Sequence, residues 1–159
     1  MTRLIAATDD HFAWLVGERS APDGLSQPSD GVDDVAILKF LRRMTARLHE
    51  AQCRASWLIV DQQQVVGLCS FKRPPDAGLA EIGYGVAASR QRRGYATHAV
   101  RLLIDEVVET GAAAELSAQT AVDNIPSIRV LEANGFSRMG TRSDPADGEL
   151  ILWSRACAG

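Results

Sequence analysis

The chain alternates short apolar segments with longer amphipathic ones, a pattern that predicts strands interleaved with helices. Seven short segments have the length and apolar content of β-strands: Arg3–Ala7, Ala55–Val60, Val65–Phe71, Ala80–Val86, Glu115–Thr120, Phe136–Arg142 and Leu150–Arg155. The first is expected at a sheet edge. The polar connection Asp61–Gln64 predicts a hairpin between the second and third, and the turn Ser143–Gly148 predicts a closing hairpin.

Four longer segments have the end signals and periodicity of helices. They run from Asp9 to about Glu18, from Asp33 or Asp34 to about Ala51, from Gly94 to Gly111, and from Asp123 or Asn124 to Asn134. Thr8 is expected to cap the first of them. In the third helix two apolar stripes lie side by side, so a wide arc of the helix surface is predicted to be buried. The stripes are Ala99, Leu103, Val107 and Val100, Ile104, Val108.

The order of these elements predicts the fold class. Strands interrupted by helices describe an α/β (or α+β) sheet within a single domain spanning residues 1–159. The helix beginning near Gly94 has the position of a crossover connection. The strands before and after it are therefore expected to be parallel neighbours.

Composition excludes several function classes. Hydrophobic residues make up 46% of the 159 positions and the net charge is −3, so neither nucleic acid nor a membrane is an expected partner. The three cysteines form no metal-ligand spacing, and the three histidines are scattered, so no metal is expected. The first residues carry Asp9 and Asp10 rather than a signal-peptide pattern, and a cytoplasmic setting is expected. The sequence leaves the oligomeric state open, a homodimer included.

The loop from Gln91 to Ala96 carries the clearest chemical signal. Its arginines, Arg92 and Arg93, stand at the start of a helix, where backbone N–H groups lack partners and the helix dipole favours negative charge. Gly94 lets the backbone approach a ligand closely. These features together predict a site for a phosphate or pyrophosphate.

A dinucleotide fingerprint overlaps this region and is rejected on its context. Residues Gly83–Ala88 fit the pattern G-x-G-x-x-A. That pattern requires a helix immediately after the first glycine, whereas here the glycines fall within a predicted strand and Ser89–Arg93 intervenes. A nicotinamide-type dinucleotide is therefore not expected.

Three blocks of this sequence resemble the GNAT family of N-acetyltransferases. Gln91-x-x-Gly94-x-Ala96 is similar to the family's acyl-CoA pyrophosphate signature, and the blocks Glu81–Val86 and Asn124–Phe136 are similar to two further family blocks. They look most like the branch that contains ribosomal-protein alanine N-acetyltransferases. The resemblance covers residues 79–137 and implies a single mixed, mostly antiparallel sheet flanked by helices, with acetyl-CoA as co-substrate.

The resemblance also implies roles for individual residues. The pyrophosphate is expected on the backbone of the loop Gln91, Arg92, Arg93, Gly94, Tyr95 and Ala96. The pantetheine arm is expected beside Val86 and Ala87, and the far part of the arm with its thioester beside Asn124 and Ser127.

The implied reaction needs a base for the amine and a donor for the departing thiolate. Glu81 is the only carboxylate of the central strand and shares a face with Gly83 and Gly85, so it is a candidate base or water-holder. Ser127 is a candidate donor to the sulfur. The structural alternatives are that Glu81 neutralises a nearby arginine and that Ser127 and Asn124 only cap a helix.

One position departs from the family pattern and opens a second hypothesis. Many members carry a tyrosine acid four residues before the Gly-Phe pair, where this chain has Leu131. Besides an N-acetyltransferase acting on a primary amine, a catalytically weak CoA-binding module is therefore considered. The acceptor, whether a protein N-terminus, an amino acid or a small-molecule amine, is expected to be selected by the first two helices and the loop Ser20–Gly31.

Overall fold

The computed structural model describes residues 1–157 and contains one seven-stranded sheet with four helices. The strands are β1 (Thr2–Ala6), β2 (Ser56–Asp61), β3 (Gln64–Phe71), β4 (Leu79–Val86), β5 (Glu115–Ala121), β6 (Ser137–Asp144) and β7 (Gly148–Ala156). The helices are α1 (Asp9–Leu15), α2 (Val35–Glu50), α3 (Tyr95–Thr110) and α4 (Ile125–Ala133), with a 3₁₀ turn at Ala88–Arg90.

The strand order is β1-β2-β3-β4-β5-β7-β6, and its one parallel pair is β4 with β5. The other neighbours along this order pair in antiparallel fashion. Helix α3 connects β4 to β5, which confirms the predicted crossover and the mixed, mostly antiparallel sheet. The edge position of β1 is also as predicted.

Element ends differ from the predictions by a few residues for local reasons. Helix α1 ends at Leu15 rather than Glu18, since Gly17 adopts a φ of 87° that breaks the helical path. The β6–β7 turn is tighter than predicted because the Asp144 carboxylate accepts hydrogen bonds from the amides of Ala146 and Asp147 at 2.8 and 2.9 Å. The predicted Thr8 cap is confirmed by its bond from the His11 amide.

The sheet is covered on both faces, and each face has its own core. Helix α3 packs over one face together with α4, and its buried residues are Ala99, Val100, Leu103, Ile104 and Val107. Val108, predicted as part of the buried stripe, is 52% exposed, so the buried arc is narrower than expected. On the other face, Phe12 of α1 and Leu38 of α2 pack against Leu58 and Val65.

Strand β3 approaches β4 closely at Gly67, next to the end of β4. A Cβ atom added at Gly67 would overlap the carbonyl oxygen of Gly85 and stand 3.1 Å from the Cα of Val86. Both neighbours are backbone atoms of β4, so neither can turn away. The position therefore requires glycine for the close approach of two strands.

We predict that Gly67→Ala lowers the free energy of unfolding by about 1–3 kcal/mol, the usual cost of overpacking. Gly83→Ala is the matched control in the same strand pair, because there an added Cβ meets only the flexible Lys72 side chain, 3.1 Å away at Cε. Urea denaturation of both variants measures the difference. Equal stabilities for the two would contradict the close approach at Gly67.

Candidate functional site

The sheet opens between β4 and β5, and this opening defines the site. Within residues 1–157, β4 pairs with β5 only over Leu79–Glu81, opposite Glu115–Ser117. Beyond Glu81, β4 continues to Val86 alongside β3, whereas β5 follows β7. The two central strands therefore diverge and leave one edge of β4 exposed over its second half.

The backbone groups along this edge face the opening. The amide of Lys72 donates to the Glu81 carbonyl at 2.9 Å, and the amide of Ala87 donates to the Val66 carbonyl at 2.8 Å. Backbone groups alternate in direction along a strand, so odd-numbered residues of β4 bond to β3. Ile82, Tyr84 and Val86 consequently point their N–H and C=O groups into the opening.

A cavity of about 1250 Å³ occupies the opening. Its walls are the second half of β4, the loop from Arg90 to Thr97, the first turn of α4 and the segment Asp30–Asp34 that precedes α2. The volume exceeds the roughly 300–1000 Å³ of common small-molecule pockets, so a long ligand can be accommodated.

One end of the cavity has the properties of an anion site. Arg92 (φ 65°) and Gly94 (φ 81°) both adopt left-handed conformations, which turn the loop into a backbone concavity. No side chain in the described part of the molecule caps Gly94, so the first amides of α3 remain open towards the cavity. The Arg92 and Arg129 side chains add positive charge to the same walls.

The predicted pyrophosphate loop is largely brought together by the fold. Gln91, Arg92, Gly94, Tyr95 and Ala96 all line the cavity. The Tyr95 phenol donates to the Asp61 carboxylate at 2.6 Å, a bond that ties the start of α3 to the end of β2. This bond raises the pKa of the phenol and lowers that of the carboxyl group.

Three residues of the predicted set lie outside the cavity walls. They are Arg93, Ala87 and Glu81. Ala87 is buried and its amide is engaged by Val66, so this residue shapes the end of β4 from beneath. Val86 does line the cavity, although its carbonyl accepts a bond from the Gln91 side chain at 3.2 Å.

Glu81 lies at the point where β4 and β5 part and is only 6% exposed. Its Oε1 is 3.1 Å from the Arg73 guanidinium and its Oε2 is 3.7 Å from the Lys72 ammonium. The carboxylate is therefore paired with basic side chains, as expected if Glu81 only neutralises a nearby arginine. Sequence reasoning missed Lys72 as an ion-pair partner of Glu81, because the β3–β4 register decides which residue lies opposite Glu81.

The first turn of α4 supplies the wall opposite β4. Asn124 caps this helix, with its Oδ1 accepting a bond from the Ser127 amide at 3.3 Å. Both residues line the cavity, so the cap and the site coincide. The phenol of Tyr84, on β4, reaches across and donates to the Ser127 carbonyl at 3.2 Å.

The cavity residues that sequence reasoning missed include Tyr84, Thr97, Arg129 and Asp33. Strand alternation could have found Tyr84, because it points to the face opposite Glu81 and Gly83. Helical spacing from Ser127 does not predict Arg129, because side chains two residues apart on a helix face different sides. Asp33 has no local signal, since its Oδ2 approaches Gly85 to 3.8 Å (measured to a Cβ built there) only through the tertiary fold.

Other chemistries find little support in the described residues. Between residues 1 and 157, no group of three His, Cys, Asp or Glu side chains is arranged to hold a metal ion. Burial raises the pKa of the Cys69 thiol to about 12, which makes it a poor nucleophile. None of the helices in this part of the chain is long and apolar enough to cross a membrane.

Comparison with known proteins gives a consistent family match. The family model described as Acetyltransferase (GNAT) domain matches residues 3–137. Over 101 residues, or 62% of the chain, the sequence is 32% identical to the uncharacterized N-acetyltransferase p20 of Bacillus licheniformis. Over 107 residues, or 65%, it is 34% identical to the uncharacterized N-acetyltransferase YjdG of Bacillus subtilis. These matches span 57% and 64% of the two relatives' own lengths.

Solved structures share the fold at low sequence identity. The ribosomal L7/L12 alpha-N-protein acetyltransferase RimL in complex with coenzyme A has a TM-score of 0.74 at 22% identity, covering 98% of this chain and 93% of that one. The ribosomal-protein-S5-alanine acetyltransferase of Vibrio fischeri has a TM-score of 0.75 at 17% identity, covering 98% and 92%. The aminoglycoside acetyltransferase AAC(6')-Ib in complex with coenzyme A has 0.71 at 20%, covering 98% and 95%.

Proposed function

Because the chain belongs to the GNAT acetyltransferase family, we propose that it transfers an acetyl group directly from acetyl-CoA to a primary amine. The observation that carries this proposal is the cavity along the free edge of β4, with an anion site at one end. Two of the structural relatives are complexes with coenzyme A, which supports the same donor here. The acceptor class is a protein N-terminus, an amino acid or a small-molecule amine.

The pyrophosphate of acetyl-CoA is assigned to the loop at the start of α3. Its donors are the backbone amides of Arg92, Gly94 and Ala96, with Gln91, Arg93 and Tyr95 as neighbours in the same loop. The helix dipole and the first-turn amides both favour a doubly charged group there. Arg92 and Arg129 then contribute long-range attraction from the cavity walls.

The pantetheine arm is assigned to the free edge of β4. The arm carries two amide groups, so it can pair with a strand as an extended peptide does. The backbones of Val86 and Tyr84 offer the matching groups, and the Gln91 side chain must turn away from the Val86 carbonyl to admit the arm. Ala87 supports this edge through its bond to Val66, and Asn124 and Ser127 flank the distal part of the arm.

The reaction then needs three proton or charge contacts. The attacking amine must be neutral and must lose a proton, for which Glu81 is our proposed base or water-holder at the base of the opening. The oxyanion needs an N–H donor, which the free edge of β4 supplies. The departing thiolate needs a donor, and Ser127 lies on the facing wall.

The acidic segment before α2 gives the acceptor a place. Asp33 lies at the cavity wall beside Gly85, whereas Asp30 is bonded to Ser89 next to the phosphate loop. The Asp33 carboxylate attracts a protonated amine towards the thioester. This location is consistent with acceptor selection by the region around the first two helices.

One observation favours a second candidate function. Leu131, at the position of the usual tyrosine acid, is fully buried in the core. A chain without a tyrosine acid for the thiolate is expected to bind CoA but to turn over slowly, so the second candidate is a catalytically weak CoA-binding regulatory module.

The cytoplasmic location and the homodimer stay predictions.

The proposed function is tested by calorimetric titration with CoA, followed by acetyl-CoA consumption with a panel of peptides, amino acids and small amines. We expect CoA binding and turnover with at least one amine class. Tight binding without turnover on any amine would support the binding module instead. Absence of CoA binding would overturn both functions.

We predict that Gly94→Asp weakens CoA binding about tenfold or more, since it sets a negative charge against the phosphates. Gly111→Asp is the matched control, because Gly111 caps the other end of α3 with a similar φ of 68° and equally open surroundings. Both variants carry the same backbone strain, and only the first lies at the anion site. Equal CoA affinities by calorimetry would count against the loop assignment.

We predict that Glu81→Gln lowers turnover at neutral pH about tenfold or more while CoA affinity changes less than about twofold. Arg73→Gln is the control, since it removes one ion-pair partner and keeps the carboxylate. A base role requires that Glu81→Gln be the slower variant across the pH profile. Equal losses in both variants would assign Glu81 to the ion pair alone.

A further inference from the structure

In the proposed function Ser127 is the candidate donor to the departing thiolate, and the tyrosine of the family pattern is absent. At position 131 the side chain is an aliphatic leucine, fully buried among core residues such as Ile128. A phenol that takes the place of this tyrosine must therefore come from another element that lines the same cavity. The inference below rests on the proposed acetyl transfer and concerns this donor.

Tyr84 is placed where such a donor is needed. It lies three residues beyond Glu81, the last residue of β4 that pairs with β5, so its side chain stands inside the opening. The ring is half-buried against the core shared with α3 and α4. Its hydroxyl group reaches the first turn of α4 and lies 3.2 Å from the Ser127 carbonyl.

The phenol can change partner at low cost. Ser127 lies in the first turn of α4, where its carbonyl accepts the regular helical bond from the amide four residues on. If the phenol turns to a ligand, this carbonyl keeps its helical partner, so no buried acceptor is left without a bond. The hydrogen bond from the Tyr84 O–H group to Ser127 can therefore break without leaving another polar group unpaired.

The expected course of the pantetheine arm brings sulfur to this hydroxyl group. The arm begins at the phosphate loop, beside the end of β4, and runs back along the edge past Val86 towards the point where the strands part. Its two amides use the backbone groups of Val86 and Tyr84. The thioester beyond them then lies between the Tyr84 ring and Ser127.

We propose that Tyr84 donates a hydrogen bond to the departing sulfur of coenzyme A and so stabilises the thiolate. The amine nitrogen forms a bond to the acetyl carbon and loses one proton to the base. The C–S bond breaks with its electron pair moving to sulfur, which leaves as a thiolate held by the phenol O–H group. The proton released by the amine reaches the thiolate through the base and water, and no oxidant or reductant is needed.

The surroundings keep the phenol protonated, as a hydrogen-bond donor must be. Burial raises the pKa of Tyr84, and the contact with Ser127 opposes this shift only in part. The chain has two tyrosines, and Tyr95 is committed to Asp61 at the other end of the cavity. Tyr84 is therefore the tyrosine available near the thioester end.

The experiment measures the pKa of the CoA thiol bound to the protein, which requires no knowledge of the acceptor amine. Thiolate absorbance is titrated for the CoA complex, with the desulfo-CoA complex subtracted to remove the protein's own thiols and phenols. A donor to sulfur stabilises the thiolate, so wild type is expected to lower the bound thiol pKa. The Tyr84→Phe variant is expected to have a bound thiol pKa about one unit higher than wild type.

Two variants serve as controls for the same measurement. Tyr95→Phe removes a phenol from the phosphate end of the cavity and is expected to leave the thiol pKa in place. Ser127→Ala tests the neighbouring hydroxyl group. The charged groups around the cavity, Asp30, Asp33, Asp34, Arg90, Arg92 and Arg129, are the same in all variants, so they cancel in the comparison.

A second measurement covers the case that Tyr84→Phe does not fold. In the Tyr95→Phe background position 84 is the remaining tyrosine, so biosynthetic fluorotyrosine enters the chain there alone. Its more acidic hydroxyl group is a stronger donor and should lower the thiol pKa further.

With the amine found by the panel, Tyr84→Phe should also reduce kcat about tenfold or more, with a smaller change in KM for acetyl-CoA.

The outcomes separate this inference from the proposed function. Failure of wild type to bind CoA would overturn the function and the inference together. CoA binding with the same thiol pKa in wild type and Tyr84→Phe would overturn the role of Tyr84 and leave acetyl transfer standing. A pKa that moves only with Ser127→Ala would assign the donor to Ser127 instead.

Discussion

The site depends on one constraint: β4 and β5 stop pairing after Glu81 and Ser117. A strand interior normally satisfies its backbone groups through both neighbours, and groups left without partners favour any ligand that can pair with them. In the second half of β4 one edge is satisfied by β3 and the other faces the cavity. The proposed pairing with an extended, amide-bearing ligand therefore depends on the sheet itself rather than on particular side chains.

The single parallel pair also explains why two helix N-termini meet at this cavity. Helix α3 follows β4 and α4 follows β5, and the carboxyl ends of adjacent parallel strands lie at the same edge of a sheet. The chain therefore leaves both strands towards the same place and begins a helix on each side of the opening. One N-terminus has the uncapped Gly94, whereas the other is closed by the Asn124 side chain. The proposed pyrophosphate site is therefore at the first of these helix ends.

The sequence predicted features that depend on local rules and missed those that depend on register. The strands, the loop at Gly94 and the crossover follow from periodicity, glycine and connection length, and all three agree with the structure. The partners of Glu81 did not follow, since Lys72 comes opposite it only through the antiparallel β3–β4 register. Asp33 was equally hidden, because a loop of no regular pattern carries it to Gly85 from another part of the chain.

The charges along the cavity differ between its walls. Arg92 lies in the phosphate loop, while Asp33 lies across from Gly85 on the segment before α2. In the proposed function, an anionic donor and a cationic acceptor would be attracted to different walls and would not compete for one position. Their reactive ends would then meet between these walls, where Tyr84 bridges β4 and the first turn of α4. The Tyr84 hydroxyl group can leave the Ser127 carbonyl and turn to the sulfur of coenzyme A. Such a donor is suited to a sulfur atom that becomes charged only as the thioester breaks.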